Sequence, residues 1–242
     1  PDEGVQGIQA SEPMLPAIAV SASFVAPFSA RRFSTRNAQN DRSTHLMLNA
    51  PDVQQLATSE AAQAASFEES QVLGAQLADI LAASCADGGK MPSEAVAVLR
   101  SLVATTPGAR GWFVVLLTDE RYDAVFKPPL DPELLRAIEA SPEPNLKLLT
   151  MNVAMSTATE IVHVANGDEE LAAGSRLTRD RSKVLLNALL PRMMGLAEEV
   201  QRLRTAVVPW KDGTPPESAD QEGVEFTKKW KYGEGQRAAI KA

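Results

Sequence analysis

The stretch 145–167, NLKLLTMNVAMSTATEIVHVANG, constrains this chain more than any other. Apolar residues recur in it at three-to-four spacing (Leu148, Leu149, Met151, Val153, Met155, Ile161, Val162 and Val164), and no glycine interrupts it before Gly167. The pattern predicts one long helix that is apolar around most of its circumference. Such a helix serves as the central post of a core wrapped by other helices. A single file of small polar groups, Asn152, Ser156, Thr159, His163 and Asn166, runs down one side. A polar line of this kind faces water, a partner or a bound group, or forms the hydrogen-bonded edge of a core helix.

Composition points the same way. Aromatic residues are only 5% of the 242-residue chain against 44% hydrophobic overall, so the core has to be packed from Leu, Val, Ala and Met. That favours helices over a β-sandwich or barrel. Ser59-Glu60 opens a helix whose apolar residues Phe67, Leu73, Leu77 and Leu81 keep helical spacing until Gly88-Gly89. Pro92-Ser93-Glu94 opens a second, which Pro107-Gly108 ends. The β-branched and aromatic run 111–119, GWFVVLLTD, would suit a buried strand, but no comparable strand lies nearby to pair with it, so a short buried helix is expected. Asp131-Pro132-Glu133 combines an N-cap, a first-turn proline and an acid, and starts another helix.

The Ser141-Pro142-Glu143-Pro144 stretch reads as a turn before the central helix, and a last long helix runs from Glu169 to about Val207. Its stripe of Leu171, Leu185, Leu189, Met193, Leu196, Val200 and Leu203 marks a buried face, with Arg176, Arg179, Arg181 and Arg192 placed elsewhere. Pro191 should kink or divide this helix. The expected architecture is all-α: a bundle-like core of about five to six helices over 59–207, flanked by extended arms at 1–58 and 208–242.

In the C-terminal arm Trp210, Phe226, Trp230 and Tyr232 are spread through charged sequence that cannot bury them locally. They read as anchors of a docking strap, with Asn152 and Ser156 as further partner-binding positions. A net charge of −7 argues against general nucleic-acid binding. The uncharged run 14–30 falls short of the roughly 20 residues of a membrane span and holds Pro16 and Pro27, so membrane association would come through partners.

Signatures of chemistry are weak. Glu160-Ile161-Val162-His163 is a Glu-x-x-His pair without the second pair that a di-iron bundle needs. Ser156, His163 and Asp168 lack a nucleophile elbow, and Gly88-Gly89-Lys90 lacks the spacing of a phosphate loop. Cys85, the only cysteine, reads as a small buried hydrophobe. No catalytic residue and no metal site is expected. His163 is the one cofactor-binding candidate, as a ligand to chlorophyll magnesium.

Two resemblances bear on context. Residues 20–28 with the Arg- and Ser-rich 31–36 resemble the two-part targeting sequence of secondary plastids, while RRFSTR is also similar to the end of a mitochondrial presequence. Gly111-Trp112-Phe113-Val114, Leu117-Thr118-Asp119, Asn152 and Met155-Ser156-Thr157-Ala158 before His163 resemble a family of small cyanobacterial and plastid proteins with no assigned reaction. Over about 92–190 this resemblance implies a non-enzymatic accessory protein of oxygenic photosynthesis. It would sit in the stroma or at the thylakoid surface, strapped to a photosystem or its antenna. The alternatives are a soluble pigment- or cofactor-binding assembly factor and an accessory subunit of a mitochondrial complex.

Overall fold

The central post is α6, Pro142–Ala165, in a computed structural model that describes residues 56–242. Pro142 and Pro144, expected to form a turn, lie in its first turn instead, where a missing N–H costs nothing and the fixed φ suits a helix. The other end stops as the sequence indicates. Gly167 adopts φ +72°, its N–H donates to the Val164 carbonyl at 3.0 Å, and Asp168 N–H donates to the His163 carbonyl at 2.9 Å. These two bonds form a Schellman motif. Asp168 then accepts from Leu171 N–H at 3.2 Å and so caps α7, Glu169–Leu189, which folds back along α6 as a helical hairpin.

The elements that precede it pack around the base of this hairpin. The first expected helix is two: α1, Ser59–Ala64, and α2, Phe67–Ala86. A capping box divides them. Ser66 N–H donates to the Glu69 carboxylate at 2.8 Å while Glu69 N–H donates to the Ser66 hydroxyl at 3.2 Å, which restarts the helix after an extended Ala65-Ser66. Helix α3 is Ser93–Val103. Pro107-Gly108 opens α4, Thr106–Thr118, rather than merely ending α3, because Thr105 accepts from Gly108 N–H at 3.1 Å. The ambiguous run 111–118 is therefore a buried helix.

A 3-10 segment, Glu120–Phe126, leads towards α5, Pro132–Glu139, which Asp131 caps through Glu133 and Leu134 N–H. Pro191 divides the last long helix, and Gly195 at φ +86° enters α8, Leu196–Ala206. Residues 208–242 are not the extended arm that composition indicates: they contain α9, Gln221–Lys229, and α10, Glu234–Lys241. The described residues thus hold ten α-helices and one 3-10 segment, and no strand beyond an isolated bridge between Lys211 and Thr214. The fold is all-α, with more and shorter helices than the five to six expected. Of the arm or targeting-like segment expected at 1–58, residues 1–55 lie outside the described residues.

With few aromatics to use, the core places them at its centre: Trp112, Tyr122 and Phe113 are the largest of the fully buried side chains. Leu77, Leu99, Leu134 and Leu149 pack in the same cluster, each worth about 1.5–3 kcal/mol of burial. Helices α2 and α4 cross so closely that a Cβ on Gly111 would lie 2.5 Å from Ser70 Cβ. From the hairpin this cluster includes Leu148, Leu149, Leu185 and Leu189, all near its base.

Candidate functional site

Beside the polar file, α6 meets α7 through Glu160. Glu160 continues the row of Asn152 and Ser156 by one further turn, and both of its carboxylate oxygens are engaged from α7, by Arg176 at 2.9 Å and by Arg179. Ser156 is buried, and its hydroxyl donates to the Asn152 and Val153 carbonyls of its own helix. Thr157 and Thr159 do the same towards Val153 and Met155, each at 2.7 Å. Asn152 keeps a buried Nδ2 without a hydrogen-bond partner. His163 is half-buried in the last turn, and Asn166 is the exposed C-cap.

These placements decide several chemical readings. Glu160 cannot serve a Glu-x-x-His metal unit while two guanidinium groups hold it. Ser156 and Asp168 are likewise committed, to helix carbonyls and to the α7 cap, and do not converge with His163. Among the described residues no group of three or more His, Cys, Asp or Glu side chains is placed to hold a metal ion.

Three of the four C-terminal aromatics, Phe226, Trp230 and Tyr232, come together on their own chain. The ring of Phe226 lies 6.5 Å from that of Trp230 and 5.8 Å from that of Tyr232, both edge-on. Trp210 Nε1–H donates to the Ala206 carbonyl at 2.9 Å, and the Arg237 guanidinium stacks 4.5 Å from the Trp210 ring centre. Tyr232 is 7% exposed, and burial pushes its phenol pKa up. The pockets that a strap would seek on a partner are supplied within the chain. Helix α9 is held to α6 and α8 by Lys147 with Glu222 and by Arg202 with Glu222 and Asp220. It sits so close to α8 that a Cβ on Gly223 would meet Ala206 Cβ at 2.7 Å.

A further polar centre went unread in the sequence. Arg181 is only 4% exposed and stands on the buried stripe of α7, four residues before Leu185. Its guanidinium donates to the Leu116 carbonyl at 3.1 Å, the Asp119 carbonyl at 2.8 Å and the Glu120 carbonyl at 3.4 Å, and pairs with Asp123. It also stacks 4.9 Å from the Phe126 ring centre. Arg181 therefore caps the C-terminal end of α4 and ties α7 to the 3-10 segment. The signal was available, since 181, 185 and 189 share one helical face.

The hairpin tip leaves apolar surface open, as do Val72 on α2 and Met194 before α8, at 66% and 89% exposed. Val164 is 53% and Leu171 41% exposed, Ile161 and Val162 are half-buried, and Asp168, Glu169 and Glu170 are exposed beside them. Two shallow grooves elsewhere, of about 330 and 430 Å³, are lined around Lys90 and Arg100 and around Pro209 and Thr214, and neither includes an α6 residue.

No curated protein and no solved structure matches the chain. The match to a family model begins at the α2 capping box and runs through α9 and α10, so it includes the C-terminal segment. On that match over residues 66–242, the chain belongs to the family of uncharacterised conserved protein UCP020893.

Proposed function

We propose that this protein is a non-catalytic accessory subunit of the photosynthetic apparatus. It docks through the tip of its α6–α7 hairpin on a large pigment–protein complex, a photosystem or its antenna, at the stromal or thylakoid surface of a plastid. The observation that carries the docking role is the exposed apolar pair Val164 and Leu171, at the far end of a hairpin whose base is fixed in the core. The photosynthetic setting rests on the sequence resemblances alone. The non-catalytic reading is supported by the commitment of Glu160, Ser156, Asp168 and Arg181 to structural bonds.

Charged residues at the tip test the docking role. A Val164→Glu, Leu171→Glu double variant is expected to keep the far-ultraviolet circular dichroism of the parent and to lose co-migration with thylakoid complexes on native gels. Unchanged co-migration would refute docking at this site, and a tagged chain found in mitochondria would move the proposal to a mitochondrial complex.

A second reading, a pigment- or cofactor-binding assembly factor, is favoured by the half-buried His163 beside exposed Val164. It requires the purified protein to absorb in the visible range and a His163→Ala variant to lose that absorption.

A further inference from the structure

Helices α2, α6 and α9 end in the same pair of backbone bonds. After α2, Gly88 N–H donates to the Cys85 carbonyl and Gly89 N–H to the Ser84 carbonyl, and Gly167 and Asp168 repeat the pattern after α6. After α9, Lys231 N–H donates to the Lys228 carbonyl at 3.0 Å and Tyr232 N–H to the Thr227 carbonyl at 3.2 Å. The left-handed position is a glycine in the first two, at φ +64° and +72°, and a lysine in the third, at φ +52°. Glycine takes this conformation freely, whereas a Cβ crowds the adjacent carbonyl. At Lys231 the chain accepts backbone strain and holds a cation there, which points to a task outside the fold.

The surroundings of Lys231 indicate the task. Lys228, Lys229 and Lys231 are all exposed. Among the described residues neither Lys229 nor Lys231 pairs with an acid, and Lys228 only approaches the exposed Glu225 at 3.7 Å. The helix dipole favours cations in the last turn, which accounts for Lys228 and Lys229 within α9 without requiring Lys231 beyond it. Lys229 Nζ lies 5.8 Å from the ring centre of Trp230, so a half-buried indole stands among the three ammonium groups. From residue 228 to 242 the sequence carries five basic residues and one acid, net +4, in a chain of net charge −7.

From this we propose that the corner after α9 is a contact site for an anionic membrane surface, with Lys228, Lys229 and Lys231 against lipid phosphates and Trp230 at headgroup depth. Ammonium groups on flexible stems suit a fluid array of phosphates, which has no fixed carboxylate geometry for a guanidinium fork to match. The acidic balance of the rest of the chain is repelled by the same surface, so the contact is oriented and reversible. This site goes beyond the hairpin tip and acts separately from it.

Flotation of the full chain with vesicles tests the site. Vesicles of phosphatidylglycerol and phosphatidylcholine in equal parts should bind it, vesicles of phosphatidylcholine alone should not, and binding should fall as salt rises. Lys231→Gly should bind about five-fold more weakly, the worth of one lysine near an anionic surface. The same variant should melt at the parent's temperature or above it, because glycine relieves the left-handed residue. Replacing Lys228, Lys229 and Lys231 together by glutamine should weaken binding roughly a hundred-fold. Absent binding or equal binding to both vesicles would overturn the site, as would a Lys231→Gly variant that binds like the parent or melts below it. Lysine-dependent capture of a polyglutamate peptide without vesicle binding would overturn the lipid assignment. The Val164→Glu, Leu171→Glu variant should float like the parent whether or not it co-migrates with thylakoid complexes, so the two readings fail separately; loss of its vesicle binding would overturn the corner as the lipid contact.

Discussion

Arg181→Met removes the guanidinium at the α4 corner while the unbranched side chain still fills the channel that the arginine stem occupies. Its effect can be built from the contacts. Two donated bonds are short, to Asp119 O at 2.8 Å and Leu116 O at 3.1 Å, and a bond from a charged donor contributes roughly 1.5 kcal/mol at the low end of its range. The bond to Glu120 O, at 3.4 Å, adds little. The ion pair adds little as well, because the Asp123 side chain is 68% exposed and water screens it. Loss of the stacking on Phe126 contributes up to about 1 kcal/mol. The variant should therefore lose about 3–4 kcal/mol, which for a domain of this size lowers the melting temperature by about 10 °C. Asp123→Ala should lose less than about 1 kcal/mol. Urea denaturation of the three proteins, followed by circular dichroism, measures both. If the Asp123 variant falls as far as the Arg181 variant, the ion pair and not carbonyl capping holds the corner. If Arg181→Met costs under about 1 kcal/mol, the capping argument fails.

Two further outcomes follow from packing and charge. Gly111→Ala should destabilise by about 1–3 kcal/mol or more, because its methyl would meet Ser70 Cβ at 2.5 Å and Ser70 backbone carbon at 2.9 Å, whereas Gly174→Ala, open to solvent in mid-helix, should stabilise by about 0.5–1 kcal/mol; thermal melts of the pair separate the cases. Lys147 beside Glu222 holds that carboxyl below its ordinary pKa, so the pair's contribution is complete above the unfolded value near about 4.3 and drains away as pH falls through the folded value; amide protection of α9 should drop in that acidic window and stay level from there to neutral pH.

What could be read in advance depended on whether the information was local. The stop at Gly167, the cap at Asp131 and the division at Pro191 are each written in two or three adjacent residues, and each is where the sequence places it. Ser66 and Glu69 are equally local, yet the Ser59-Glu60 start drew the helix boundary ahead of them, so one helix start masked the capping box that the residues themselves spell out just before Phe67. The C-terminal segment was misread for a different reason. Phe226 finds its surroundings in Trp230 and Tyr232, and Trp210 in α8 and Arg237, which no short window along the chain contains, although Asp220 before Glu222, Val224 and Thr227 carries an ordinary helix start.

The polar file shows the limit most clearly. Its residues do share one face of α6, as the spacing requires, but which neighbour α6 meets beside them is settled by Glu160 reaching Arg176 and Arg179 across the hairpin. Those two arginines, read alone, were equally suited to a solvated surface. The hydroxyls of Ser156, Thr157 and Thr159 turn back onto their own helix, so a line of polar residues in sequence is not a line of groups available to a ligand. By the same reasoning Val164 and Leu171, which as letters are ordinary core residues, stand exposed because the hairpin carries them beyond the core.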